Sequence, residues 1–243
     1  ISSDGFFRMS TGRKEIPELF VKALLTHEDR HFYRHPGVNP LAVLRAALSN
    51  VRAGGVVSGG STLTMQLARM LERRERTLWT KVVEAFRALQ LEWRYDKDEI
   101  LEFYLALAPY GGNLEGLSAA THFYFGKQPS MLSVGEIALL VGLPQSPNRY
   151  RPDRHPLAAR EMRDRVLREM LDNGLIEAEQ MKRAAAEPLP ERRNEAAQLA
   201  VHTAWSLRSA DPGRHQVRTT LDRNIQRKTS ALLADYVKTL DAN

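Results

Sequence analysis

Residues Thr77 to Leu105 read TLWTKVVEAFRALQLEWRYDKDEILEFYL, and their spacing decides the fold class. Leu78, Val82, Phe86, Leu89 and Trp93 recur at helical intervals, which predicts a helix opened by Thr77 that buries this stripe. Asp96 is placed to cap a second helix carrying Ile100, Leu101, Tyr104 and Leu105. Nothing in the stretch alternates with the period of two that a strand needs.

Helical signals continue outward on both sides. Upstream, Pro17 precedes Leu19, Phe20, Ala23 and Leu24 at helical spacing, and Asn39-Pro40 opens a helix with Leu41, Leu44, Leu48 and Val51 on one face. Gly54 to Gly60 (GGVVSGG) holds four glycines in seven residues and reads as a mobile loop from Val51 to Gly60, after which Ser61 is the expected N-cap. Downstream, Gly111-Gly112 makes a turn, and Leu117 to Phe125 is helical with Gly126 as its stop. Ser133 and Glu136 form a capping box ahead of the apolar Ile137 to Leu143. Leu157 to Asn173 is a long charged helix ended by Gly174, and its faces read as solvated. The Pro-rich stretch at Glu187 to Pro190 marks a boundary, giving an all-α unit over 1–187 and a connector over 188–243. The connector is expected to hold a helix around Ala196 to Leu207, a strand over Gln216 to Thr220, and a helix burying Ile225, Leu232, Tyr236 and Leu240.

The chain has 243 residues, 43% of them hydrophobic, and no cysteine. That composition excludes a disordered chain, a disulfide scaffold and a cysteine nucleophile. No apolar run reaches the ~18–20 residues of a membrane span. The net charge of +6 points to an anionic partner: nucleic acid, a lipid surface or a phosphorylated substrate. Seven basic residues against four acidic ones fall between Arg69 and Arg94. Both ends, Ile1 and Asn243, read as cuts through a longer polypeptide.

Three clusters can carry chemistry. Glu28-Asp29 ends the first amphipathic helix and is followed by His31, Phe32, His35, Pro36 and Gly37. Gly59-Gly60-Ser61-Thr62-Leu63-Thr64-Met65-Gln66 runs a glycine-rich loop into a helix N-terminus, where backbone N–H groups can meet an anion. Lys81 and Glu84 are i,i+3 neighbours, which alone describes an ordinary surface ion pair, with Arg69 and Arg76 near by in sequence. Together, two carboxylates, an anion pocket and several cations suit a displacement on a phosphate-activated substrate. A lysozyme-like hydrolase and a basic helical nucleic-acid-binding module remain the competing readings, although hydrolysis of an uncharged glycan needs no pyrophosphate clamp.

The clusters resemble, in order, the signatures of the peptidoglycan glycosyltransferases (glycosyltransferase family 51), the polymerase domain of class A penicillin-binding proteins. Glu28-Asp29-x-x-Phe32-x-x-His35-x-Gly37 is similar to the first, the stretch from Gly59 to Gln66 to the second, and Lys81-x-x-Glu84 to the third. Lys97-x-x-Ile100-Leu101-x-x-Tyr104-Leu105 is similar to the fourth, and Ala119-Ala120 with Tyr124-Phe125-Gly126-Lys127 continues in register. Pro109 to Gly116, Leu143 to Pro147 and Arg151 to Arg154 look like one branch of that family. Val217 to Asp222 resembles the approach to a penicillin-binding transpeptidase domain, whose serine motif is absent here.

The resemblance implies a mainly α, lysozyme-like fold with head and jaw lobes and a short C-terminal strand/helix connector. It implies polymerisation of lipid II into β-1,4-linked glycan, with inversion and release of undecaprenyl pyrophosphate. Glu28 would be the general base and Glu84 would sit on the donor side. Asp29, Phe32, His35, Ser61, Thr62, Gln66, Arg69, Arg76 and Lys81 would be the substrate-binding positions. A divalent cation (Mg2+ or Mn2+) is compatible with the family, although no dedicated metal motif is visible, and no organic cofactor is expected. The implied partners are lipid II, the growing glycan, a membrane surface and a transpeptidase domain, not nucleic acid. The implied place is the periplasmic face of the bacterial inner membrane, with an N-terminal anchor outside this chain, and moenomycin is the implied donor-site inhibitor. Thr80 stands where relatives often have Arg, and Ala106 where the fourth signature commonly ends in Asn.

Overall fold

A computed structural model describes residues 5–9, 12, 15–40, 45, 60–72, 74–75, 77–194, 201–211 and 219–241. The chain forms two compact units, Ile1–Asn194 and Glu195–Asn243. The first is helical: α1 (Glu18–Glu28), α2 (Leu63–Leu71), α3 (Leu78–Arg94), α4 (Lys97–Leu107), α5 (Leu117–Phe125), α6 (Val134–Gly142), α7 (Pro156–Asp172) and α8 (Ala178–Ala186). Among the described residues its only β pairing is two isolated bridges, Phe7 with Leu114 and Pro109 with Glu115. The helix expected after Asn39-Pro40 and the loop expected over Val51 to Gly60 lie almost wholly outside the described residues.

Local chemistry sets most helix ends. Asp96 with Glu99, and Ser133 with Glu136, form reciprocal capping boxes for α4 and α6. Thr77 caps α3 by accepting from the Thr80 N–H, and Gly126 ends α5 in the left-handed conformation. At α2 the cap is Thr62, one residue later than expected, because its hydroxyl rather than that of Ser61 accepts from the Met65 N–H.

The core centres on α6, whose Ile137, Ala138, Leu139, Leu140 and Val141 are buried. It packs against α1, α7 and α8. A second packing group joins α2 to α3 and α4, with Leu63, Leu67, Ile100, Leu101, Tyr104 and Leu105 inside.

The stripe on α3 is the main correction to the sequence reading. Val82, Phe86, Leu89 and Trp93 are exposed, Trp93 by 91% and the neighbouring Trp79 by 71%. Glu84 and Ala88 are buried instead, and the Glu92 side chain is only 9% exposed. Those three lie at i, i+4 and i+8, on a different face. The reason is local. Gly37 adopts φ +88° and packs so closely that an added Cβ would meet the Ala88 carbonyl oxygen at 2.9 Å. Glu92 accepts from Thr64 Oγ1 and Lys97 Nζ. Small and charged side chains therefore face the site, and the apolar stripe is left outside. Gly37→Ala is expected to destabilise the unit by about 2–3 kcal/mol, from the positive φ and the backbone clash together; denaturant unfolding measures it.

The α7 faces are also less solvated than expected. Ala159, Met162, Val166, Leu167 and Met170 are buried, and so is Arg163. The Arg163 guanidinium donates to the Glu187 and Ala185 carbonyl oxygens at 2.7 and 2.6 Å, tying α7 to the end of α8. Further on, the Asn194 N–H donates to the Phe123 carbonyl, and Arg193 donates to the Gly111 carbonyl and the Tyr124 hydroxyl.

The second unit contains α9 (Val201–Ala210) and α10 (Arg223–Asp241). Asp222 caps α10, accepting from the Asn224 and Ile225 N–H groups. The expected strand is not seen at Thr219 and Thr220, and its first three residues lie outside the described ones. Ile225, Leu232 and Tyr236 are exposed rather than buried. No described helix is long and apolar enough to cross a membrane.

Candidate active site

The site is built where α1 stops. Asp29 leaves the helix, and its N–H bonds back to the Leu25 carbonyl at 2.9 Å, leaving Glu28 as the last helical residue. Phe32 anchors the turn that follows; it is buried, with the Lys97 ammonium 4.4 Å from its ring centroid. Asp29 is buried and accepts from His35 Nε2 at 2.9 and 3.1 Å and from the Leu63 N–H at 3.0 Å. Thr62 donates to the Gly37 carbonyl. The first two sequence clusters are thus stitched together, and Asp29 and His35 act as struts between them.

One turn into α2, Gln66 Nε2 donates to Glu28 Oε2 at 2.6 Å. Glu28 keeps 10% of its side chain exposed, and its other oxygen, Oε1, is buried without a hydrogen-bond partner. Glu28 opens onto a cleft of about 920 Å³ lined also by Asp29, Arg30, Arg34, Arg45, Ser61, Thr62, Gln66 and Arg69. Arg69 additionally lines a second cavity, of about 720 Å³. The volume suits a small ligand, and the lining is weighted toward cations.

The N-terminus of α2 is less open than the glycine-rich sequence suggests. The Leu63 N–H is taken by Asp29, the Met65 N–H by the Thr62 hydroxyl and the Gln66 N–H by the Thr62 carbonyl. Its dipole is thus met internally by the Asp29 carboxylate, so an anion in the cleft depends on the arginines rather than on these amides.

On α3, Lys81 Nζ donates to Ser61 Oγ and lies 3.8 Å from Glu84 Oε2. The Glu84 side chain is 8% exposed, and Oε2 has no hydrogen-bond partner. The pair is therefore not the surface pair that its spacing alone describes: one member is buried and the other reaches Ser61, which lines the cleft. Phe32, His35, Lys81 and Glu84 do not line the cleft themselves. Arg76 and residues 54–59 of the glycine-rich loop lie outside the described residues.

Several contributors had little sequence signal. His27 stands beside Glu28 and Glu169 beside His27, and Glu92 joins Thr64, Lys97 and, through Lys97, the His35 carbonyl. Tyr104 and Tyr110 are fully buried, with hydroxyls that lack a hydrogen-bond partner. Burial first, and then the charge of Glu28, keep both phenols protonated well beyond the ordinary range. His27 at least was visible as the residue before Glu28; Glu169 is 142 positions from it and had no local signal.

Among the described residues no three His, Asp or Glu side chains are grouped to hold a metal ion. Both Asp29 oxygens already accept hydrogen bonds, from His35 Nε2 and the Leu63 N–H.

The transglycosylase family profile matches residues 7–171. The chain belongs to this family, the glycosyltransferase domain of class A penicillin-binding proteins. It is 41% identical to penicillin-binding protein 1C of Escherichia coli K12, over 96% of this chain and 30% of that protein. It is 38% identical to penicillin-binding protein 1A of Aquifex aeolicus, over 92% and 32%. With penicillin-binding protein 1B of Haemophilus influenzae the identity is 43%, over 78% and 25%. The chain thus spans about a third or less of the length of these relatives.

Proposed function

We propose that this chain polymerises lipid II into peptidoglycan glycan strands for bacterial cell-wall synthesis. The observation that carries the reading is Glu28, fixed by Gln66 and facing an arginine-lined cleft. Glu28 takes the proton from the 4-hydroxyl of the incoming N-acetylglucosamine. The freed oxygen attacks the anomeric carbon of the lipid-linked N-acetylmuramic acid on the opposite side from its pyrophosphate. A β-1,4 bond forms as the α-linked bond to pyrophosphate breaks, and undecaprenyl pyrophosphate leaves with the bonding electrons. Arg30, Arg34 and Arg69, which line the cleft, would hold the phosphates, and Lys81 with Ser61 would hold the donor. A diphosphate is a good leaving group, so positioning and charge supply most of the acceleration.

The exposed stripe on α3, with Trp79 and Trp93, supports work at a membrane surface, where such a face is covered by lipid. A periplasmic site, a separate membrane anchor and an attached transpeptidase domain complete the proposal. Incubation with radiolabelled lipid II and, separately, with finished peptidoglycan tests it. Polymer from the first and no cleavage of the second is expected. Cleavage of finished strands without polymer formation would favour a hydrolase.

A further inference from the structure

His27 precedes Glu28 on α1, and its ring is held from across the fold. Nδ1 lies 2.7 Å from Glu169 Oε2 on α7, and Nε2 lies 4.0 Å from Glu28 Oε1. The side chains of His27 and Glu28 are each 10% exposed. Neither Nε2 nor Oε1 has a hydrogen-bond partner, so two buried polar atoms face one another just beyond bonding range. Catalytic hydrogen bonds are often long before substrate binds and tighten in the complex.

Groups around the ring can be named element by element. Glu28 adjoins it on α1, and Glu169 and Arg165 face it from α7. The only titratable residue of α6, Glu136, is engaged by Lys127 and by the Ser133 cap. The turn after α6 contributes Pro144 and Gln145 to the same cleft, neither of them charged. Burial works against the imidazolium and so does Arg165. The hydrogen bond that His27 donates to Glu169 and the charges of Glu28 and Glu169 outweigh them, and the His27 pKa lies above the ordinary imidazole value.

We propose that His27, oriented by Glu169, is a positioning residue for the Glu28 carboxylate. This rests on the reading of Glu28 as the general base. With Nδ1–H committed to Glu169, the second proton sits on Nε2 and points at Oε1. The imidazolium then fixes the carboxylate at Oε1. When that proton leaves, the Nε2 lone pair faces Oε1 and the attraction is gone. The positioning is strongest below the His27 midpoint and is lost as pH rises through it.

The test has a kinetic arm and a spectroscopic arm. Lipid II polymerisation is followed against pH for this chain and for His27→Gln, Glu169→Gln and Glu28→Gln. His27→Gln should cost roughly tenfold in rate below the His27 midpoint, with rates above it within about twofold. Glu169→Gln, at a side chain 35% exposed, gives the same pattern with a smaller loss and serves if His27→Gln does not fold. In the second arm, the His27 ring is titrated by NMR in histidine-labelled protein. Glu28→Gln should lower the His27 midpoint, because the Glu28 charge is among the groups that raise it. A rate loss in His27→Gln that is uniform across pH, or a His27 midpoint unchanged in Glu28→Gln, would overturn the proposal. Near-normal polymerisation by Glu28→Gln would instead sink the base assignment, and the NMR arm would then decide the coupling alone.

Discussion

Glu28→Gln should reduce glycan polymerisation by about 10²–10⁴-fold, the range that general-base help supplies, while the domain stays folded. The substitution keeps the shape of the side chain. Its remaining carbonyl oxygen can still accept from Gln66 Nε2, the contact that fixes Glu28 at 2.6 Å. What it loses is the ability to take a proton, and it also removes a largely buried charge. Thermal unfolding is therefore expected to change little or to rise slightly. Labelled lipid II resolved on a gel measures the activity. Near-normal chains from the variant would remove Glu28 from the role of base.

Lys81→Ala should have the second largest effect, about 10²-fold on polymerisation, in line with loss of a positioned electrostatic contact. Two consequences have to be separated. The variant loses the cation that joins Ser61 at the cleft to α3. It also leaves the buried Glu84 without its counter-charge. The second effect is a stability cost, because an unpaired buried carboxylate is unfavourable. Adding Glu84→Gln removes that charge, so the double variant should regain melting temperature relative to Lys81→Ala and not regain activity. Activity that recovers in step with melting temperature would reduce the pair to a structural role.

Much of the fold was legible because it is written locally. The capping boxes at Asp96 and Ser133, the stop at Gly126 and the buried run from Ile137 are each specified within a few residues. The α3 stripe was misread because periodicity reports that a helix is amphipathic, not which face meets protein. There the core side carries Glu84, Ala88 and Glu92, selected by the close approach of Gly37 and by Thr64 and Lys97, brought together only by the fold. The α7 reading failed for a related reason. Arg163 looks like a surface residue in sequence, and only the fold brings the Ala185 and Glu187 carbonyls to it.

The candidate site was legible as a set of residues and not as an arrangement. Glu28, Gln66, Lys81 and Ser61 stood in recognisable clusters, yet spacing did not say that Gln66 would hold Glu28 or that Lys81 would reach Ser61. The glycine-rich segment promised free amides, and Asp29 and Thr62 occupy three of them. His27 carried no chemistry in the sequence reading, because its partner Glu169 arrives on α7.

The most direct test of the central claim is the product formed from α-linked lipid II. A ladder of β-1,4-linked strands with release of undecaprenyl pyrophosphate, suppressed by moenomycin, is expected. Unchanged lipid II, or strands that retain the α configuration at the new linkage, would contradict it.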